Sequence, residues 1–400
     1  AKEMARGRTV RLESGQMYSV SAYGSMIRDT IRMDAYVSAL RQAVQPGCTV
    51  VDIGTGTGIF ALLACQFRAG YVYAIEPSDA IHVAREIAAA NGYAERITFQ
   101  QGMSTDIALP HKADVIISDM RGSLPLLGNH LASIIDARKR FLAPGGTLIP
   151  LRDHLFAALV EAPQVYQSIT DPWEVNRYSL NMAAARRIVA NTFLRHERSK
   201  DWRLLTEPTC WATLEYATLA SPHVSENLSV PVTQAGTAHG FMVWFDATLA
   251  DGIGFSNAPD QPELVYGASI LPLAQPVSVA VGDTVSLRLK AHLVEEAYVW
   301  SWETHVTGPG ESSLLKAHFH QSTFDGVPLS LEKLRRRAAH HVPVRNDKAR
   351  LDQYVLTLMD GSHSLESIAT QVMEQFPGQF VSLQEALAAV SRLSVRYSQA

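Results

Sequence analysis

The sequence predicts a doubly wound α/β domain, then an all-β domain, then a small helical module. Three observations predict it. A buried apolar strand at Val50 to Ile53 runs into Gly54-Thr-Gly56-Thr-Gly58, a turn that needs glycine's freedom at positive φ. From there to Pro150 strand and helix patterns alternate, the mark of a mostly parallel sheet. After Pro150 the apolar period shortens to two between turn signals, and past Phe324 it returns to helical spacing.

Taken in order, residues 1–16 are polar, basic and aperiodic, a loose lead-in. Tyr18 to Leu40 reads as one helix: Met26, Ile27, Ile31, Met33 and Tyr36 form its apolar face, and Arg28, Asp29 and Arg32 are its charged members. Pro46-Gly47 closes this unit by turn chemistry. The glycine loop is followed by a helix of high apolar content, Ile59 to Ala69. Then come a strand at Tyr71 to Ile75, a helix at Ser78 to Asn91 closed by Gly92, and strands at Ile97 to Gln100 and Val115 to Ser118. A helix at Leu131 to Leu142 and a strand at Thr147 to Ile149 complete the α/β domain, 41–150, with 1–40 as its lead-in and covering helices.

In such a sheet a ligand lies outside the carboxyl ends of the strands, at the switch in strand order. Glu76 ends the second strand, 24 residues after Asp52, where a carboxylate takes both hydroxyls of a ribose. A dinucleotide enzyme wants the same pair of features. The loop spacing, however, differs from the Gly-x-Gly-x-x-Gly that seats a pyrophosphate.

The runs Asp52-Ile-Gly-Thr-Gly-Thr-Gly-Ile59, Ile117-Ser-Asp119-Met-Arg-Gly122 and Ala137-Arg-Lys-Arg-Phe-Leu-Ala-Pro-Gly-Gly146 together resemble the protein arginine methyltransferases. Met26-Ile-Arg-Asp29-Thr-Ile-Arg32 resembles that family's helix over the cofactor, and the likeness extends from about Met17 to Asp325. It implies a Rossmann-like domain that binds S-adenosylmethionine and yields S-adenosylhomocysteine. By that resemblance Arg32 grips the methionine carboxylate, with Met26 on the same helix. Asp52, Gly54 and Gly56 shape the pocket, Glu76 holds the ribose, and Met103 and Ser104 lie at the adenine. An arginine fork suits a carboxylate, and a carboxylate suits a diol.

The departures bear on the acceptor. The family holds its guanidinium between two glutamates; here the first position is Asp119 and the second, nine residues on, is Gly128. A guanidinium presents five donors and a permanent charge, so one acceptor serves it poorly. The family's Thr-His-Trp loop corresponds to Leu264-Val265-Tyr266, which leaves Asp29 without its histidine partner. Methyl transfer requires only that a nucleophile be aligned and deprotonated. Asp119 is the candidate for that orienting or proton-accepting role, with His130 and His305 as secondary candidates against a purely structural reading.

Beyond Pro150, strands are expected at Leu155 to Glu161, Cys210 to Ala217, Gly240 to Leu249, Ser278 to Val281, Thr284 to Leu293 and Tyr298 to Glu303. A barrel or a sandwich fits them, and the resemblance implies a β-barrel over 151–328. The helical stretch at about 170–189 is then an arm that docks on a second copy, implying a homodimer.

The remainder, 329–400, opens with the basic run Glu332 to Arg337, read as a linker. Three short helices follow, lined by Leu351, Tyr354, Val355 and Leu358, by Leu365, Ile368, Val372 and Phe376, and by Leu387, Val390 and Leu393, with Ser364 and Ser382 as caps. Leu358-Met-Asp-Gly361 and Ser364-Leu-Glu-Ser-Ile-Ala resemble the helical half of the winged-helix-like domains related to the peptide chaperone of pyrroloquinoline quinone synthesis, which grip leader peptides of ribosomally made, modified peptides.

The bulk composition of these 400 residues excludes little: 47% are hydrophobic and 18% charged, and 35 basic against 39 acidic residues give a formal charge of −4. Nothing here calls for nucleic acid or an anionic membrane. No run approaches the ~18 apolar residues of a membrane span, and no signal-peptide core is evident. Cys48, Cys65 and Cys210 lack metal-ligand spacing, so no metal is expected, and thiols in a reducing cytoplasm are the simplest account. The expectation is a methyltransferase acting on a peptide or small-amine nitrogen. Methylation of a free metabolite such as an amino acid, or a non-catalytic scaffold, are the alternatives.

Overall fold

The computed structural model describes residues 18–174, 178–196, 201–310 and 314–398. The lead-in at 1–16 lies outside them, as do three residues of the 170–189 arm. The chain divides into two compact units, Ala1–Pro328 and Leu329–Ala400.

The first unit opens with α1 (Val20–Arg28) and α2 (Thr30–Ala43). One continuous helix was expected here. It breaks at Asp29, whose carboxylate accepts from the Arg32 N–H at 3.2 Å and so starts a new helix. Next come β1 (Thr49–Ile53), α3 (Ile59–Gln66), β2 (Tyr71–Glu76), α4 (Ala80–Ala90), β3 (Ile97–Gln101), β4 (Ala113–Ser118), α5 (His130–Arg140) and β5 (Leu142–Ile149). The strands form one sheet in the order β3-β2-β1-β4-β5, with every pairing parallel. Strand order therefore reverses between β1 and β4. The glycine loop leaves the end of β1 and Asp119 follows the end of β4, so both stand at that switch.

The β region comprises β6 (Arg152–Glu161), then α6 (Pro163–Glu174) and α7 (Ala183–Val189), then β7 (Leu194–His196), β8 (Arg203–Leu204), β9 (Thr209–Glu215), β10 (Val224–Pro231), β11 (Gly236–Ala250), β12 (Ile253–Ser256), β13 (Ala268–Val279), β14 (Thr284–Val294), β15 (Ala297–Thr307) and β16 (Leu315–Ser322). Its antiparallel strands make a seven-stranded sheet along β7-β13-β11-β6-β8, with β12 and β9 attached, and a four-stranded sheet β10-β14-β15-β16. The arm is two helices, α6 and α7. β13 begins ten residues before the expected Ser278. Pro272 and Pro276 masked it, and the structure accommodates Pro272 opposite Gly240, where the register with β11 shifts.

A shared core joins the parallel sheet to the β region. Tyr36 of α2, Phe245 of β11, Phe255 of β12 and Tyr266 stack against one another at centroid distances of 5.3–6.1 Å, forming an aromatic floor below the switch point.

The second unit holds α8 (Leu331–Arg337), α9 (Asp347–Leu358), α10 (Leu365–Gln375) and α11 (Leu383–Tyr397). Among its described residues there is no strand. Leu351, Val355, Ile368, Ala369, Val372, Ala386 and Val390 form its own core. The run expected as a linker is instead helix α8, capped by Ser330 and buried nowhere along its length.

Candidate functional site

Gly54 and Gly56 hold φ of +73° and +55°, conformations that favour glycine. A Cβ on Gly54 would lie 2.8 Å from Met120, and one on Gly56 would lie 2.3 Å from the Tyr23 ring. The bare backbone is thus roofed by two apolar side chains. Asp52 braces the loop from below, its Oδ2 accepting from the Thr55 hydroxyl at 2.5 Å and the Ala61 N–H at 3.0 Å. Burial pushes its carboxyl up to about 7, because the charged form has lost water and Oδ1 has no partner.

Glu76 is buried at the end of β2. It accepts from Gly56 N–H at 2.9 Å through Oε2 and from Ser78 N–H at 3.0 Å through Oε1, which ties the strand end to the loop. Tyr23 stands beside it; burial and the Glu76 charge push its phenol up to about 12. Ser104 is buried, with its carbonyl held by Arg140 Nη2 at 2.5 Å, and Met103 beside it is 37% exposed. Met26 contributes its carbonyl, which accepts from Arg32 Nη1 at 3.1 Å.

Arg32 and Asp119 form one buried ion pair. Arg32 Nε and Nη2 lie 2.6 and 2.5 Å from Asp119 Oδ2. From the other side the Tyr266 hydroxyl donates to both Asp119 oxygens, at 2.9 and 2.7 Å. Arg121 approaches Oδ1 at 3.9 Å, with its Nε 3.3 Å from Asp153 and its guanidinium over the Phe245 and Phe255 rings. Burial alone would raise the Asp119 carboxyl. The Arg32 and Arg121 charges outweigh it and hold the group below its ordinary value. Asp119 is consequently a weak proton acceptor.

His130 opens α5 and is buried. It meets the Tyr216 hydroxyl at 3.1 Å, and that hydroxyl in turn donates to Asp153. Burial, aided by the Arg121 charge, brings the imidazole down to about 3, so it stays neutral across the physiological range. His130 is linked to Asp119 through the Tyr216–Asp153–Arg121 chain. His305 is brought elsewhere: it lies on the outer face of β15 with Glu303 and His318, because outward positions alternate with the buried Trp300, Trp302 and Thr304.

The Leu264–Tyr266 loop corrects one expectation. Asp29 keeps a partner there, since the Val265 backbone N–H donates to its Oδ2 at 2.7 Å. A backbone donor takes the place of a side chain. The expected set also omitted Arg121, Tyr266, Asp153 and Tyr36. Arg121 stands two residues beyond Asp119 in the Ile117–Gly122 motif; for Asp153 and Tyr36, no local pattern points to the site. Gly128, in the second clamp position, has open space around it.

Two family models match this chain: that of the ribosomal protein L11 methyltransferase over residues 21–150, and that of the arginine methyltransferase oligomerization subdomain over residues 152–298. The chain is 30% identical over 270 residues to a probable protein arginine N-methyltransferase 6.1 of Oryza sativa subsp. indica, covering 64% of this chain and 68% of the relative. It is 30% identical over 239 residues to a probable protein arginine N-methyltransferase 6 of Arabidopsis thaliana, covering 58% of this chain but 55% of that relative, so it spans little more than half of that protein. Among solved structures, the Trypanosoma brucei PRMT1 enzyme-prozyme heterotetrameric complex with AdoHcy superposes with a TM-score of 0.67 at 21% identity, over 75% of this chain and 96% of that one. That last likeness concerns the fold.

Proposed function

This chain belongs to the protein arginine methyltransferase family, and from that premise we propose that it is an S-adenosylmethionine-dependent methyltransferase whose acceptor is a peptide or small-amine nitrogen rather than a guanidinium. One observation carries the acceptor assignment: the negative charge of Asp119 is already matched inside the protein by Arg32 and Arg121. A permanently charged guanidinium entering here meets two guanidiniums and one satisfied carboxylate, with Gly128 in place of a second acid. An uncharged amine meets no such repulsion and needs a single acceptor to direct its lone pair.

The residues present fit the cofactor. The glycine turn has no Cβ of its own, so only the Tyr23 and Met120 side chains that now cover it would have to swing aside for a flat adenosyl group, and a carboxylate with two oxygens has lone pairs for a diol beyond the two N–H groups that Glu76 already accepts. Glu76 would hold the ribose and Met103 and Ser104 the adenine, while Arg32 would hold the methionine carboxylate through the Nη hydrogens that Asp119 and the Met26 carbonyl leave free, its Nε staying on Asp119; Asp52, Gly54 and Gly56 would shape the seat. When bound, the sulfonium supplies an activated methyl group. Asp119 then orients the acceptor N–H, and Tyr266 keeps the carboxylate plane fixed. Tyr36 and His130 lie behind this layer as positioning groups.

The C-terminal unit supports a peptide acceptor. A groove there is lined by Leu351, Phe380 and Leu393 together with Lys348, Arg392 and Arg396 against a single acid, Asp352, a net basic and apolar lining that suits an acidic, apolar-studded segment. A second binding site on the same chain raises the acceptor's effective concentration. The match to the oligomerization subdomain supports a homodimer through α6 and α7, and the cytoplasm is the compartment we assign. Among the described residues no helix is long and apolar enough to cross a membrane.

Calorimetry with S-adenosylhomocysteine and mass spectrometry of peptide and amine panels test this reading. We expect binding that Glu76→Ala weakens at least tenfold, amine-nitrogen products, and an acceptor KM at least tenfold higher after removal of residues 331–400. Methylation of arginine side chains in the same panel would overturn the acceptor assignment. A second reading, a cofactor-binding scaffold, is favoured by the 4% exposure of the Asp119 side chain; cofactor binding without product in any panel selects it.

A further inference from the structure

We propose that the outer face of the four-stranded sheet carries a divalent transition-metal site formed by Glu303, His305 and His318, suited to Zn2+ and ions of similar imidazole preference. β15 and β16 pair antiparallel with His305 directly opposite His318, and Glu303 stands two residues before His305 on the same face. The two imidazole rings stack at 4.1 Å, inclined by 12°. Both Nε2 atoms face one carboxylate oxygen, Glu303 Oε1, at 3.3 Å from His318 and 4.0 Å from His305. One donor atom from each residue lies within 4.8 Å of the others.

Ligands sharing a tetrahedral zinc stand about 3.3 Å apart for bonds of about 2.0 Å. Small side-chain rotations bring this set to that spacing. Two imidazoles and one carboxylate are a donor set that zinc accepts, with water completing the shell. The strands are stiff at this point, since Trp300 and Trp302 are fully buried beneath them. Arg288 of β14 and His320 of β16 each stand opposite Glu303. The Arg288 charge opposes an ion, which sets the affinity below that of a closed four-ligand site.

The test is calorimetric titration of the full chain with zinc chloride at pH 7.5, paired with thermal melting. We expect one site per chain, a zinc-dependent rise in Tm, and affinity lowered at least tenfold by His305→Ala, His318→Ala or Glu303→Gln. His292→Ala removes one ring of another surface pair, His223 and His292 at 5.3 Å, and leaves the isotherm unchanged. Glu303→Gln preserves shape and carries the test if an alanine variant unfolds. An isotherm that none of the three substitutions alters, or one that follows His292 instead, overturns the proposal.

Discussion

The Tyr266 hydroxyl donates to Asp119 at 2.7 and 2.9 Å while Arg32 grips the same carboxylate at 2.5 Å. A strand-end acid is thereby fixed between a phenol and a guanidinium in a buried setting. Tyr266→Phe removes only the oxygen. Leaving a buried acceptor one bond short costs roughly 1–3 kcal/mol of stability. We expect turnover to fall at least tenfold while S-adenosylhomocysteine affinity stays within threefold, because Arg32 keeps its pair. Steady-state kinetics beside calorimetry separate these, and a larger loss in cofactor affinity than in turnover refutes the role given to Tyr266.

Arg121 bears on stability more than on binding. It is fully buried between Asp119 and Asp153, and deleting one member of such a network leaves uncompensated charge, at a cost of about 3–5 kcal/mol. Arg121→Met should lower the urea midpoint accordingly. Asp153→Asn should do less, since Arg121 then keeps Asp119 at 3.9 Å and the amide oxygen can still accept from its Nε. Equal losses in the two variants would contradict this ordering.

Asp52 and His130 give a pH signature with opposed signs. Asp52 is raised from an ordinary carboxylate value to about 7 in the folded chain, so its contribution is fully present below pH 4 and is lost as pH climbs through 7. His130 is brought down to about 3, so its contribution is complete above pH 6.5 and is lost on acidification. Between pH 4 and 6.5 the two slopes cancel. Asp52→Asn removes one of them, and the stability of the variant relative to the parent should rise by about 1.4 kcal/mol per pH unit across this window. Urea unfolding at pH 4.5, 5.5 and 6.5 measures it; parallel curves for the two proteins would falsify the assignment to Asp52.

What the sequence disclosed follows from where the information sits. The glycine turn and Glu76 were legible because a strand end and a positive-φ turn are local properties. Asp119 was legible as a departure from a motif. Its partners were not, since Tyr266, Arg121 and Asp153 meet only when β11, β12 and the Leu264–Tyr266 loop pack against the parallel sheet. β13 hid behind two prolines, and α8 behind a run of charge that its Ser330 cap and its Glu332–Arg336 pair turn into a helix. His305 illustrates the converse: an alternating strand pattern gave its face, but only the pairing with β16 revealed His318 as its neighbour.

The C-terminal unit has its own core, and that separation is measurable. Ile368 is 1% exposed and packs with Leu351, Val355 and Val390. Ile368→Ala removes buried methyl groups and leaves a cavity, a loss of about 2–5 kcal/mol that a unit of this size cannot absorb at physiological temperature. Calorimetric melting should therefore show one transition shifted to lower temperature or abolished and a second left in place. Turnover of a peptide acceptor should then fall to the level reached when residues 331–400 are removed, with S-adenosylhomocysteine affinity unchanged. A single transition that moves as a whole would show instead that the two units fold as one, and would make the groove lined by Phe380 and Arg392 part of a common stability rather than a separate site.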